Sequence, residues 1–476
     1  MDESTHLFLD NVGLKELRDV TRTWHPLRKH PANPLFSRSG AETQLFLFGS
    51  VLREPEPGGD GAPVFRMWYF AVGERSQWTG YARSRDGLTW EKPELGLFPH
   101  RPEVAGNAVF APDGWRLVGL SGVLRDPSPD APDEERYKLV QAADAGDPGV
   151  CGWKGKHYVT ATSADGFHWR FRDAIRPSEP CYPDRACFVW DPAESAYALY
   201  ARSRQRPADL VERGGPTFFG RAIGRGLSRD FRTWSDDWPT VMQALPEDPD
   251  GTEIYGWSAF PWAGQWLAWT QMHHSQPHLG YIDMALSHSR DGQQWERRPE
   301  VVLPVGDVGD WDRFNQCTSN HPLRVGDEIW VYYSGRSYRH KEYRSHPEWQ
   351  PNVPRDDDGP SYVGIGLACM RLDGWCSLDA GYGGGSVLTE PVPLPGAPLW
   401  VNAKADWGEV LVEILDESGR PLDGVPRSAP VRCDGVRTPV CWPAAGARPW
   451  PTDRPVRLRF SLRNARLYAW GTGGDR

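Results

Sequence analysis

Ser84-Arg-Asp-Gly-Leu-Thr-Trp90 recurs along the chain as Ser163-Ala-Asp-Gly-Phe-His-Trp169, Ser228-Arg-Asp-Phe-Arg-Thr-Trp234, Ser289-Arg-Asp-Gly-Gln-Gln-Trp295 and a shortened Arg371-Leu-Asp-Gly-Trp375. The aspartates Asp86, Asp165, Asp230, Asp291 and Asp373 lie 61 to 82 residues apart, which marks an internal repeat of multi-strand units. Each copy follows an alternating apolar stretch such as 79–84 or 282–287, and Asp-Gly is a turn signal between strands. The trailing Trp then anchors the next strand. Upstream of every copy runs an aromatic, β-branched strand (65–70, 136–140, 197–200, 266–270, 329–333), preceded by a hairpin and one further strand, as in 186–190 followed by Asp191-Pro-Ala-Glu. Four antiparallel strands, five times over, predict a five-bladed β-propeller, because radial repetition leaves only short, protected strand edges.

Composition agrees with an all-β chain. Gly 50 and Pro 44 make up about a fifth of the 476 residues, and aromatics reach 12%, a turn-rich composition that disfavours a helical bundle. With 39% hydrophobic residues the chain can bury a sizeable core. A net charge of −9 gives no electrostatic footprint for nucleic acid. The first twenty residues carry acids where a signal peptide needs basic residues before an apolar run, and no stretch is apolar enough to span a membrane, so a soluble, cytoplasmic protein is expected. The eight cysteines form no CxxC pair; free thiols are expected rather than a disulfide or zinc framework, with no cofactor and no metal.

The repeat bounds the domains. Residues 1–34 read as a lead-in segment, 35–383 as the propeller and 384–476 as a small β-sandwich, where 399–403, 409–415, 456–462 and 465–470 alternate with period two. In a propeller whose inner strands start at the top, the repeat aspartates fall in bottom turns. So do Glu54, Asp126 and Asp191, for which turn capping through hydrogen bonds to nearby backbone is the expected role, with catalysis by Asp126 of Arg125-Asp126-Pro127 as the lesser alternative. Acids at the starts of inner strands converge instead on the top of the channel: Glu42, Asp184, Glu253 and Asp312. Clustered carboxylates with low-dielectric walls resist full ionisation, which separates a proton donor from a base. Glycosidic cleavage needs such a pair. Glu253 is the first choice for the acid, with Asp184 or Asp312 as base or nucleophile; the competing role for each is an inter-blade ion pair with Arg185 or Arg313. Substrate contacts are expected from Arg185, Tyr255, Trp257, His273, His274, Arg313, Asn315 and His340, the last in a long loop over 336–349. Trp257 and Trp78 are candidates for stacking on a sugar ring. The spacing His273-His274-Ser-Gln-Pro-His278 lacks a clear carboxylate partner for a metal.

The chain resembles the five-bladed glycoside hydrolases of families 32, 43, 68, 117 and 130, especially the invertase-like group. The stretches that carry the likeness are His30-Pro-Ala-Asn-Pro34, Ser84–Gly96, Glu135-Arg-Tyr-Lys138, Asp184-Arg185 with Phe188-Val-Trp-Asp-Pro192, Leu372–Ala380, Trp400-Val-Asn-Ala and Val456–Tyr468. The resemblance implies a base or nucleophile Asp on blade one, a stabilising Asp on blade two and an acid Glu on a later blade. Here blade one offers Glu42 in place of Asp, and no Glu-Cys pair marks the acid. The expected function is hydrolysis of a small glycoside; the alternative is a non-hydrolytic propeller, either a sugar-binding protein or a biosynthetic enzyme acting on a natural product.

Overall fold

The computed structural model describes residues 5–56, 59, 61–128, 130–145, 155–204, 220–249, 251–274, 280–339, 363–442 and 451–473. They are built almost wholly of antiparallel strands, with one 3₁₀ turn at Asp133–Glu135. No helix among them is long and apolar enough to cross a membrane.

Five successive four-stranded units account for the middle of the chain. Unit one comprises Gln44–Pro55, Pro63–Val72, Gln77–Ser84 and Ala108–Phe110; unit two, Trp115–Arg125, Tyr137–Ala145, Gly155–Ser163 and Arg170–Ile175. Unit three comprises Ala186–Asp191, Ala196–Arg204, Arg221–Ser228 and Thr240–Met242; unit four, Thr252–Trp262, Gln265–His274, Tyr281–Ser289 and Trp295–Leu303. Unit five has Asn315–Thr318, Glu328–Arg336 and Val363–Arg371, and its outermost position is filled by Arg28–Lys29 and Phe36–Ser37 from near the N-terminus.

The first strands of the units face one another around an axis. Ser50 Oγ of unit one accepts the Val123 N–H of unit two, Cys187 Sγ of unit three donates to the Ala259 carbonyl of unit four, and Thr318 of unit five donates to Ser258 of unit four. Asn320 closes the ring, its N–H bonded to the Gly49 carbonyl and its side-chain amide to that of Ser121. Space between the inner strands is short: a Cβ on Gly49 would lie 2.5 Å from Leu120 Cδ2 of unit two.

The repeated heptad fastens one unit to the next. In its first copy Ser84 Oγ donates to Asp86 Oδ1, Asp86 accepts the N–H groups of Leu88 and Thr89, and the Gly87 carbonyl accepts a bond from Tyr332 of unit five at 2.8 Å. The Gly166 carbonyl of unit two accepts from Trp68 of unit one at 2.9 Å, and the Gly292 carbonyl of unit four from Tyr200 of unit three at 2.8 Å. In unit five, Asp373 itself accepts from Trp262 of unit four. Glycine is required twice over at the turn. Gly166 has φ +80°, and a Cβ there would lie 2.8 Å from both Arg66 and Trp68. Gly166→Ala is expected to destabilise by about 2 kcal/mol or more, adding left-handed strain to overpacking, read as a lower urea midpoint.

The turn carboxylates also set an acid limit. Against the upward push of burial, the N–H groups of Thr89 and Leu88 and the Ser84 hydroxyl bring Asp86 to about 2. Asp165 is likewise about 2, held by His168, Phe167 and Ser163 against burial. These folded-state values lie below those of an unfolded chain, so their stabilisation is whole above about pH 4 and is lost as pH falls toward 2. An acid titration followed by circular dichroism should show stability flat from pH 7 to 5 and falling below 4.

Two further sheets pack face to face against units four and five. One runs in the order Thr21–Trp24, Cys376–Ala380, Ala465–Thr472, Leu399–Lys404 and Asp434–Pro439, with Thr5–Leu7 also paired to Ala465–Thr472; the other runs Leu14–Arg18, Gly385–Thr389, Arg457–Arg463 and Glu409–Leu415. Their inward side chains, Val401, Ala403, Val410, Val412, Leu458, Phe460 and Leu467, are buried in one apolar core that continues into Phe260, Trp269 and Trp375. Residues 5–34, within the lead-in by sequence, are therefore woven into both the ring and these sheets. The cause is open edges: the last unit lacks an outer strand, and the C-terminal sheets need partners for theirs.

Candidate functional site

The inner strands begin at the end of the ring opposite the repeat turns. Unit three contributes most of the chemistry there: Asp184 and Arg185 just before Ala186–Asp191, Arg202 near the end of Ala196–Arg204, and Arg221 at the start of Arg221–Ser228. Asp184 Oδ2 accepts from Arg202 Nη1 at 2.9 Å, and Oδ1 accepts the Arg185 N–H at 2.9 Å. Its side chain keeps 22% exposure, the largest among the four inner-strand acids. Burial alone would push this carboxyl up, but the charges of Arg202, Lys156 and Arg185 outweigh it and hold the group below the ordinary range. Asp184 is ionised at neutral pH.

Tyr255 of unit four packs against Arg202, the arginine that holds this carboxylate. The strand Thr252–Trp262 carries a bulge between Ile254 and Gly256, and a bulge re-aims the extra side chain. Three guanidinium carbons surround the Tyr255 ring: Arg202 at 4.6 Å, Arg185 at 5.3 Å and Arg221 at 5.7 Å from its centroid. Arg202 also donates to the Tyr255 carbonyl.

Glu253 is 2% exposed and fully engaged. It accepts the Arg221 N–H at 3.1 Å, pairs with the Arg221 guanidinium, and bonds His273 Nδ1 at 3.1 Å. Burial pushes its carboxyl up, yet the His273 hydrogen bond and the Arg221 charge bring it below the ordinary value. His273, lowered mainly by burial, stays neutral and carries its proton on Nδ1 toward the carboxylate. Held this way, Glu253 is an ion-paired carboxylate, its charge met by Arg221.

The other two acids are held by groups outside unit three. Glu42 is held by Lys92, Tyr69 and the Ser39 N–H, with Lys92 lying 4.4 Å from the Phe36 ring centroid. Asp312 packs in unit five, bonded to Tyr333 at 2.9 Å and paired with Lys29 at 2.7 Å. Its cation comes from the N-terminal segment and not from Arg313, whose guanidinium sits 4.8 Å from the Phe314 ring centroid.

Among the expected substrate contacts, Arg185 and Tyr255 stand together at the channel. Trp257 is no stacking surface: it is 3% exposed, edge-on to Trp295 at 4.9 Å. Trp78 is equally buried in the core of unit one. His274 turns away from His273 and bonds Asp283 at 3.0 Å. Asn315 opens the inner strand of unit five. His340 and His278 lie outside the described residues, as does most of the loop over 336–349.

Sequence reasoning missed Arg202 and Arg221. A signal was present: each is a charged residue near the channel end of a strand whose other residues, Arg204 and Arg225 aside, are small, apolar or aromatic. Glu54, Asp126 and Asp191 occupy the opposite end, as the strand order requires. Glu54 pairs with the fully buried Arg66, Asp126 with Lys138 and Tyr197, and Asp191 with Arg225. Grooves of about 390 and 440 Å³ also lie at that end, beside the turns of Asp86 and Asp230, where the aspartates are committed to backbone N–H groups.

No protein-family model and no curated protein matches the chain. Solved structures do. One is an N-acetylgalactosamine deacetylase from F. plautii in complex with blood group B trisaccharide, 16% identical over 75% of this chain and 96% of that one, with TM-score 0.46. A second comes from a study of the GH130 family of mannoside phosphorylases that contains glycoside hydrolases targeting β-1,2 mannosidic linkages in Candida mannan, 12% identical over 72% and 94%, TM-score 0.44. A third is a thermostable family-43 glycoside hydrolase, 11% identical over 72% and 95%, TM-score 0.43.

Proposed function

We propose that the protein is a glycoside hydrolase that binds a small glycoside or oligosaccharide at the channel mouth of a five-bladed propeller, with Asp184 as the ionised carboxylate of the reaction. The observation that carries this reading is the convergence of Asp184, Arg185, Arg202 and Tyr255 from units three and four at the end where the inner strands begin. An ionised carboxylate in that position serves as base or nucleophile. Arg202 fixes its orientation, and Tyr255 supplies an aromatic edge with a polar tip suited to a sugar. Glu253, ionised against Arg221, positions that arginine beneath the tyrosine. The test is a panel of chromogenic furanosides and pyranosides assayed with the full chain. Release of the chromophore from at least one glycoside is the expected result, and binding without release across the panel would overturn hydrolysis.

One observation favours the second reading, a non-hydrolytic sugar-binding propeller. All four inner-strand acids are ion-paired, and Asp184 and Glu253 are held below the ordinary carboxylate range. Saturable binding of a glycan with no product after prolonged incubation would select this reading.

A further inference from the structure

Among the described residues, Arg185 is a buried cation with no carboxylate within ion-pair distance of its guanidinium. It is 8% exposed, its Nε has no hydrogen-bond partner, and among the described residues its only side-chain hydrogen bond runs from Nη1 to Cys317 Sγ at 2.9 Å. Arg202 and Arg221 are spent on Asp184 and Glu253. Burying a guanidinium without an anion is costly, and no described carboxylate pairs with this one. Beside it, Gln271 is fully buried with both its amide oxygen and its amide nitrogen unpartnered. The two side chains converge over a glycine: a Cβ on Gly256 would lie 2.2 Å from Gln271 Oε1 and 3.1 Å from Arg185 Nη1.

A second cation completes the arrangement. The Arg185 guanidinium sits 3.8 Å from the Phe48 ring centroid, Phe48 stacks on Phe46 at 5.1 Å, and Arg336 of unit five lies 5.4 Å from the Phe46 centroid. Arg336, too, has no carboxylate partner among the described residues. Two arginines with no carboxylate partner among the described residues thus flank one aromatic pair at the site where the proposed glycoside binds.

We propose that the channel mouth selects an acidic sugar, a uronic-acid residue whose carboxylate is held by Arg185 with the Gln271 amide beside it and Arg336 at the rim. The inference rests on reading the channel mouth as the glycoside site and adds the substrate class. The planar guanidinium fork matches a carboxylate edge-on, and Nε is the atom left open for it. Gln271 satisfies a sugar hydroxyl or the second carboxylate oxygen. Phe46 and Phe48 supply the apolar wall.

The test measures binding and turnover separately. Calorimetric titration of the full chain with D-glucuronate and D-galacturonate, against D-glucose, D-galactose, glucose 6-phosphate and inorganic phosphate, should give binding for a uronate at least tenfold tighter than for its neutral parent. Chromogenic glucuronides and galacturonides should exceed the matching neutral glycosides by about a hundredfold in kcat/KM. Arg185→Gln should erase both preferences, Arg185→Lys should keep part of them, and Gly256→Ala should weaken uronate binding by displacing the Gln271 amide. Equal binding of uronate and neutral sugar overturns the proposal, and so does tighter binding of phosphate or the sugar phosphate. Uronate binding without turnover of any glycoside supports the acidic-sugar site while removing hydrolysis; turnover of neutral glycosides untouched by Arg185→Gln does the reverse. If Arg185→Gln does not fold, the wild-type preference and Arg336→Gln, at the rim, decide.

Discussion

Asp184→Asn is expected to lower kcat by about 10²–10⁴-fold, the usual contribution of a positioned base, with a smaller change in KM. The substitution preserves shape and an acceptor for the Arg185 N–H, so the loss reports on the missing charge. Arg202 keeps its bond to the Tyr255 carbonyl, which limits the stability cost to about 1–3 kcal/mol, measured by urea unfolding alongside turnover. The pH profile supplies a second readout. Because Arg202 and its neighbours hold Asp184 below the ordinary carboxylate value, the ionised form persists as pH falls past 5. The acid limb of kcat/KM should therefore lie below pH 4. Turnover unchanged in Asp184→Asn would remove Asp184 from the reaction, and an acid limb above pH 5 would assign that limb to another group.

Glu54→Ala should be the most damaging single change to stability, at about 3–5 kcal/mol, because it strands a charge that water does not reach. Arg66 is fully buried. It donates to Glu54 at 2.8 Å, to Tyr137 at 2.9 Å and to Tyr81 at 3.1 Å, with its guanidinium 4.8 Å from the Trp68 ring centroid. Glu54 also accepts from Tyr137, so the pair ties unit one to unit two. Replacing both partners with Glu54→Leu and Arg66→Met should recover much of the loss, since an apolar pair of similar volume does not strand a charge. The urea midpoint gives the measurement. Variants that remain folded should keep the kcat of the parent, because this cluster stands at the end opposite Asp184. A Glu54→Ala midpoint within experimental scatter of the parent would show that Arg66 is satisfied by its tyrosines and aromatic faces.

The Asp-Gly-Trp repeat was legible because a tight turn has local chemistry: a serine and an aspartate that cap N–H groups, a glycine at positive φ, and a tryptophan that folds back. Its copies number the units, and the alternation around them names the strands. The sorting of acids by chain direction was legible for the same reason. Strand polarity alone puts Glu54, Asp126 and Asp191 at one end and Asp184 and Glu253 at the other.

What the sequence determined by itself is therefore the repeat, the all-β class and the end of each strand at which an acid lies. Tertiary structure decided which of those acids faces the channel, because a carboxylate's partners come from strands far away in the chain: Lys92 for Glu42, Lys29 for Asp312, Arg221 for Glu253. It also decided that Trp257 is core, that the N-terminal strands complete the last unit, and that Arg185 has no carboxylate within ion-pair distance among the described residues. Each of these depends on charge and packing summed over several units, and no local pattern of residue types carries that sum.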